Sequence, residues 1–189
     1  MRLALKSLAA LVIGTAAGLA LTWASVFETQ FGTVRDGPWF TSLATGSVDS
    51  GRYLRAFVAV HGLLALNRHE TIYYNAAVDS SGEKLSGRCD YTIEGRDPDA
   101  RWWSITAYGP DDYLIPNRAR HYSESMNSVM RRDDGSFVIT VSQDARDANW
   151  IPVGAHDFSL TLRLYNPDGR LAGDPARARL PDIHKERCR

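Results

Sequence analysis

Residues 101–117 read RWWSITAYGPDDYLIPN, and the alternation in their first half decides the fold class. On a period-two strand Trp103, Ile105 and Ala107 share one face while Trp102, Ser104, Thr106 and Tyr108 share the other. The first face suits a core. The second carries aromatics and hydroxyls, so it is expected either to lie under another sheet or to offer rings on which a ligand stacks. Gly109-Pro110-Asp111-Asp112 turns the chain, because proline presets φ and the aspartates bond nearby amides. The stretch is therefore expected to form a hairpin at the heart of an all-β domain.

Similar patterns recur on either side. Residues 71–78 place Ile72, Tyr74, Ala76 and Val78 on one face, with a turn at Asp79-Ser80-Ser81-Gly82. Residues 88–94 set Cys89, Tyr91 and Ile93 against Arg88, Asp90, Thr92 and Glu94. Beyond Asp133-Asp134-Gly135, Phe137, Ile139 and Val141 alternate with Val138, Thr140 and Ser142. Phe158, Leu160, Leu162 and Leu164 alternate with Ser159, Thr161, Arg163 and Tyr165, and Asn166-Pro167-Asp168-Gly169 ends that strand. Such strands, joined by turn chemistry, predict a β-sandwich with jelly-roll or Greek-key connections and one packed helix. Asp49 or Ser50 caps that helix, whose stripe of Tyr53, Phe57, Val60 and Leu64 is expected to lie against the sheet.

The N-terminal part differs in kind. From Ser7 to Phe27 no charged residue occurs, and in a helix that length spans about 30 Å, enough to cross a bilayer. Arg2 and Lys6 precede the run and Glu28 follows it, so an uncleaved anchor leaves the N-terminus in the cytoplasm and the rest in the periplasm. A long signal peptide cleaved near Thr22-Trp23-Ala24 is the alternative. Residues 1–27 are thus read as an inner-membrane anchor, 28–50 as a spacer and 51–189 as the β domain. The 189 residues carry 22 basic and 22 acidic side chains, and this balance argues against nucleic acid as a partner.

Few residues in the sequence fall into patterns that carry chemistry. His61, His69, His121, His156 and His184 never fall in metal-ligand spacing, so neither metal nor cofactor is implied. Glu70, Glu94, Asp111, Asp112 and Glu124 could supply the carboxylate pair of a glycan hydrolase, yet turns and solvated faces account for most of them. No nucleophile elbow, phosphate loop or dinucleotide fingerprint occurs. The better candidates suit a polar or glycan ligand: Tyr73, Trp102, Tyr108, Asn117, Tyr122, Asn149 and Trp150 supply rings, hydroxyls and amides. The competing reading has Asn117 and Asn149 fastening loops and Trp150 plugging the core. A binding or accessory module of the cell envelope is the function expected, with an envelope hydrolase as the alternative.

Two cysteines remain, Cys89 on a predicted strand and Cys188 near the end. In an oxidising compartment the pair is expected to form a disulfide that pins the tail, the alternative for Cys89 being a buried thiol. The arginine-rich end itself reads as a solvated edge or tail.

Taken in order, RAFVAVHGLLALNRHETIYYNAAVDSSGE, CDYTIEG, RWWSITAYGPDDYLIPN, HYSES, DGSFVITVS, NWIPV and FSLTLRLYNPD resemble the bacterial domain of unknown function 1214 family from about Tyr53 to Arg189. The resemblance implies a jelly-roll-like β-sandwich in a membrane-tethered, single-domain subgroup. It also implies a companion domain of the family numbered 1254 as a partner, here replaced by the membrane segment. It assigns no catalytic residue.

Overall fold

Strands with one apolar face must bury it against another layer. Here they pair into two sheets around one core, in a computed structural model that describes residues 2–27, 33–42, 44–60 and 65–189. The larger sheet runs in the order β1 (Thr33–Asp36), β2 (Trp39–Ser42), β3 (Thr71–Ala76), β9 (Ser159–Pro167), β5 (Ala100–Tyr108) and β6 (Ser123–Ser125). The smaller runs β10 (Asp182–Cys188), β4 (Cys89–Arg96), β7 (Ser136–Ser142) and β8 (Trp150–Pro152), with β7 and β8 parallel and the other pairs antiparallel.

Alternation decides which side chains meet between the sheets. Ile72, Tyr74, Trp103, Ile105, Leu160, Leu162 and Leu164 come from the large sheet, and Tyr91, Ile93, Phe137, Ile139, Val141 and Ile151 from the small one. Across the layers the Trp103 and Phe137 rings stack at 4.9 Å. Tyr74 lies deep in this core, where its hydroxyl donates to Pro175 O at 2.7 Å. Burial, reinforced by Asp36 and Asp174, pushes that hydroxyl's pKa above the ordinary tyrosine value.

The hairpin expected on residues 101–117 forms only in its turn. Gly109 N–H donates to Tyr113 O and Asp112 N–H to Gly109 O, but the second arm adds a single bridge, Tyr108 to Leu114. The partners of β5 are instead β9 and β6. Residues 113–117 hold Tyr113 and Leu114 out in solvent, and Pro116 has no amide to give a ladder. Strand β9 meets each core residue of β5 with a leucine: Trp103 faces Leu164, Ile105 faces Leu162 and Ala107 faces Leu160.

The supposed spacer also contains structure. Strands β1 and β2 form a hairpin that joins the large sheet through Phe40 opposite Asn75. Trp39 is fully buried, and its indole N–H donates to Pro181 O at 2.7 Å. One deeply placed ring is enough to fix so short a hairpin to the core.

Helix α1 (Arg2–Phe27) is long and apolar enough to cross a membrane, and its leucines are exposed. Helix α2 (Arg52–Val60) differs from expectation, since none of its residues is buried and its principal packing partner is α1, not the sheet. The outer face of the large sheet mixes Asn75, Ser104, Thr106 and Arg163 with its rings, and that of the small sheet carries Thr92 and Glu94, so neither offers the stripe a continuous apolar surface. Leu64, expected on the same stripe, lies outside the described residues, as does His61.

The C-terminal segment is pinned. After α3 (Gly169–Gly173), N-capped by the Asp168 carboxylate at 2.6 Å from Leu171 N, strand β10 pairs with β4 and sets Cys188 opposite Cys89. These two form a disulfide across 99 residues of sequence. Beside it the Asp90 carboxylate, nearly all buried, accepts from Arg146 (2.9 Å), Arg187 (3.1 Å) and Arg189 (3.5 Å). Charge-assisted bonds of this kind compensate the cost of burying the carboxylate.

Candidate functional site

Strand register gathers three of the candidate ligand residues on the outer face of the large sheet. Tyr73 of β3 stands beside Arg163 of β9, and Ser104 of β5 stands on the other side of that arginine. One row away Trp102 pairs with Tyr165, their rings edge to face at 5.2 Å. The Trp102 indole N–H donates to Asn127 Oδ1 at 2.8 Å, which fixes the ring's orientation. Tyr108 completes the group. The Arg163 guanidinium lies 5.4 Å from the centroid of the Tyr108 ring and 6.0 Å from that of Tyr73, and Nη2 donates to the Tyr108 hydroxyl at 2.6 Å. Nη1 donates to Thr106 Oγ1 at 3.3 Å.

The other four candidates stand elsewhere. Asn117 holds its own loop, accepting from His121 N–H and donating to Ile115 O and His121 O. Asn149 is buried and binds Met130 N–H, Met130 O and Val138 O, which ties β7 to the segment before it. Trp150, half buried on β8, turns its indole N–H toward Ser142. Tyr122 is half buried next to β6.

Glu124 is the carboxylate whose setting departs most from a solvated turn. It faces inward on β6 and is only 5 % exposed. Its Oε1 accepts from Trp150 N–H and His121 Nε2, each at 3.1 Å, and its Oε2 accepts from Ser128 Oγ at 2.6 Å. The side chain thus joins the edge of the large sheet to the edge of the small one. Of the remaining hydrolase candidates, Glu94 pairs with Arg132 and Asp111 accepts from Tyr113 N–H within its turn. Glu70 is bound by Asn67. Each has a local structural partner.

A hollow of about 300 Å³ opens among the loops at one end, lined by Pro110, Leu114, Ile115, Pro116, His156 and Asp157. Its walls are mainly apolar. Close by, a Cβ on Gly87 would fall 1.7 Å from Gly154 O, so only glycine lets these two loops approach. Among the described residues no group of three or more His, Cys, Asp or Glu side chains is placed to hold a metal.

Arg163 and Glu124 are the residues that strand patterning undervalues. Alternation puts Arg163 on the outward face of β9 with Thr161 and Tyr165, but its two tyrosine neighbours arrive from strands about 55 and 90 residues away.

One solved structure has a similar architecture. The VPA0106 protein from Vibrio parahaemolyticus is similar over 74 % of this chain, with 27 % identity and a TM-score of 0.62. An uncharacterized protein from Burkholderia cenocepacia is matched over 90 % of this chain, with 17 % identity and a TM-score of 0.48. The chain spans 36 % and 39 % of the lengths of these two structures. No curated protein matches it. The profile described as "Protein of unknown function (DUF1214)" matches residues 70–169, more than half of the sequence, and the chain belongs to that family.

Proposed function

We propose that this is a single-pass, inner-membrane protein whose β domain is periplasmic and binds a polar ligand, such as a glycan, on the outer face of the large sheet. The observation that carries the reading is the cluster of Tyr73, Arg163 and Tyr108 near Trp102, four half-buried side chains whose rings and donors share one sheet face. Rings supply stacking area and hydroxyls supply direction, the combination by which protein surfaces hold polar ligands. Export is supported by the apolar α1 preceded by Arg2 and Lys6, and by a disulfide that an oxidising compartment preserves. Two sheets closed on one core support a jelly-roll-like sandwich as the scaffold. The longer chain of the similar VPA0106 protein supports a companion domain, of the family numbered 1254, as a partner.

Protease added to spheroplasts tests the topology. The β domain is expected to be digested in intact spheroplasts and to sediment with membranes after an alkaline wash. Release of a soluble species beginning near Ser25 would identify a cleaved signal, and protection from protease would place the domain in the cytoplasm.

A further inference from the structure

We infer that Arg163 is an anion-binding residue, so that the outer face of the large sheet takes a ligand bearing an oxyanion, either a carboxylate or a phosphate. This rests on the polar-ligand reading above and narrows it.

Arg163 is half buried in the middle of the six-stranded sheet, yet its hydrogen bonds go to neutral hydroxyls, those of Tyr108 and Thr106. Among the described residues no carboxylate pairs with it. Arg131 and Arg146, with side chains 29 % and 35 % exposed, are by contrast paired with Asp97 and Asp90. The flanking Tyr73 and Tyr108 rings hold the guanidinium in place through their π faces and leave its charge intact.

The donor inventory points outward. A guanidinium has five N–H groups, and two are used here. Nε has no partner among the described residues and is not among the buried polar atoms left unbonded, so it is open to solvent. Both hydroxyls accept from the cation. Their own protons are therefore free to donate elsewhere, and donation from a cation makes each a stronger donor in turn. Arg163 and the Tyr108 hydroxyl together present a fixed set of donors with a net positive charge, the complement of a planar or tetrahedral oxyanion, while the buried Thr106 hydroxyl holds the guanidinium from below.

The test titrates the full-length chain in detergent micelles with cellobiouronic acid, its neutral counterpart cellobiose, and inorganic phosphate, read by calorimetry. An oxyanion probe is expected to bind at least ~10-fold more tightly than cellobiose, and Arg163→Gln to weaken it about 10–100-fold, the scale of a lost charge-assisted hydrogen bond. Arg163→Lys is expected to restore part of the loss. Tyr108→Phe, which keeps the ring and removes only the hydroxyl, is expected to weaken binding several-fold with an unchanged far-ultraviolet circular dichroism spectrum. Displacement of the uronate by phosphate assigns the oxyanion itself as the recognised group, whereas tight uronate binding without displacement assigns a carboxylated sugar. If cellobiose binds as well as the uronate and Arg163→Gln changes neither, the anion inference is overturned while the polar-ligand reading stands. Absence of saturable binding by all three probes overturns both.

Discussion

Replacing Glu124 probes whether the two sheets are joined at their edges by this carboxylate. Of its three donors, Ser128 can turn to Ser125 O, already 3.3 Å away, and His121 has a side chain exposed enough to reach water. The Trp150 backbone N–H has no such recourse, because it is fixed by the β7–β8 ladder. Glu124→Ala therefore orphans one half-buried amide, costing about 1–3 kcal/mol, and removes packed side-chain atoms, adding about 1 kcal/mol. The expected loss is roughly 2–4 kcal/mol. Glu124→Gln keeps an oxygen for Trp150 N–H and presents an amide that Ser128 Oγ can accept, so its cost should stay near 1 kcal/mol or below. Guanidinium unfolding of the full-length protein in micelles, followed by tryptophan fluorescence, measures both. Equal losses for the two variants, or no loss for Glu124→Ala, would refute the edge-joining role.

Three further perturbations have calculable outcomes. Cys89→Ala with Cys188→Ala opens a closure of 99 residues and should destabilise the domain by up to ~4.7 kcal/mol on chain-entropy grounds; denatured, unreduced wild-type protein should take up no alkyl group, and uptake of two would remove the basis for this. Trp39→Ala should cost about 3–5 kcal/mol if the β1–β2 hairpin is part of the fold, and an unfolding midpoint equal to wild type would make it an appendage. Acid should also weaken the domain. At Asp97 desolvation tends to raise the pKa, but the Arg131 guanidinium and the Trp103 indole N–H outweigh it and hold the group below the usual carboxylate range. At Asp79 desolvation is likewise outweighed by the Ser81 hydroxyl and the Glu83 and Ser81 amides. A depressed folded pKa gives stability that is present above the unfolded value of about 3.9 and lost as pH falls through the folded one. Unfolding midpoints should therefore be level above about pH 5 and decline below about pH 4, less steeply in Asp97→Asn.

What a sequence discloses here depends on whether the decisive contact is periodic or singular. Leu160, Leu162 and Leu164 announce a half-buried strand because three side chains repeat the same preference, and Trp103, Ile105 and Ala107 do the same. Strands β1 and β2 have four residues each, too few to show a period, and what binds them is one indole beside Pro181, a contact across 142 positions. Strand β10 is hidden for the opposite reason: it is a charged edge, with Ile183 its one buried side chain, and it belongs to the sheet through backbone bonds, the disulfide and Asp90. The hairpin on residues 101–117 misleads because a turn fixes only local direction, whereas β5 chooses its partner by the leucines that β9 can bring. The candidate site follows the same logic. Tyr73, Trp102 and Tyr108 can be placed on outward faces from alternation alone, but alternation is blind to which strands adjoin. Arg163 reads as an ordinary solvent-side residue until β3 and β5 flank β9 and set a tyrosine on either side of it. A site assembled by strand order leaves its aromatic residues legible and conceals its charge.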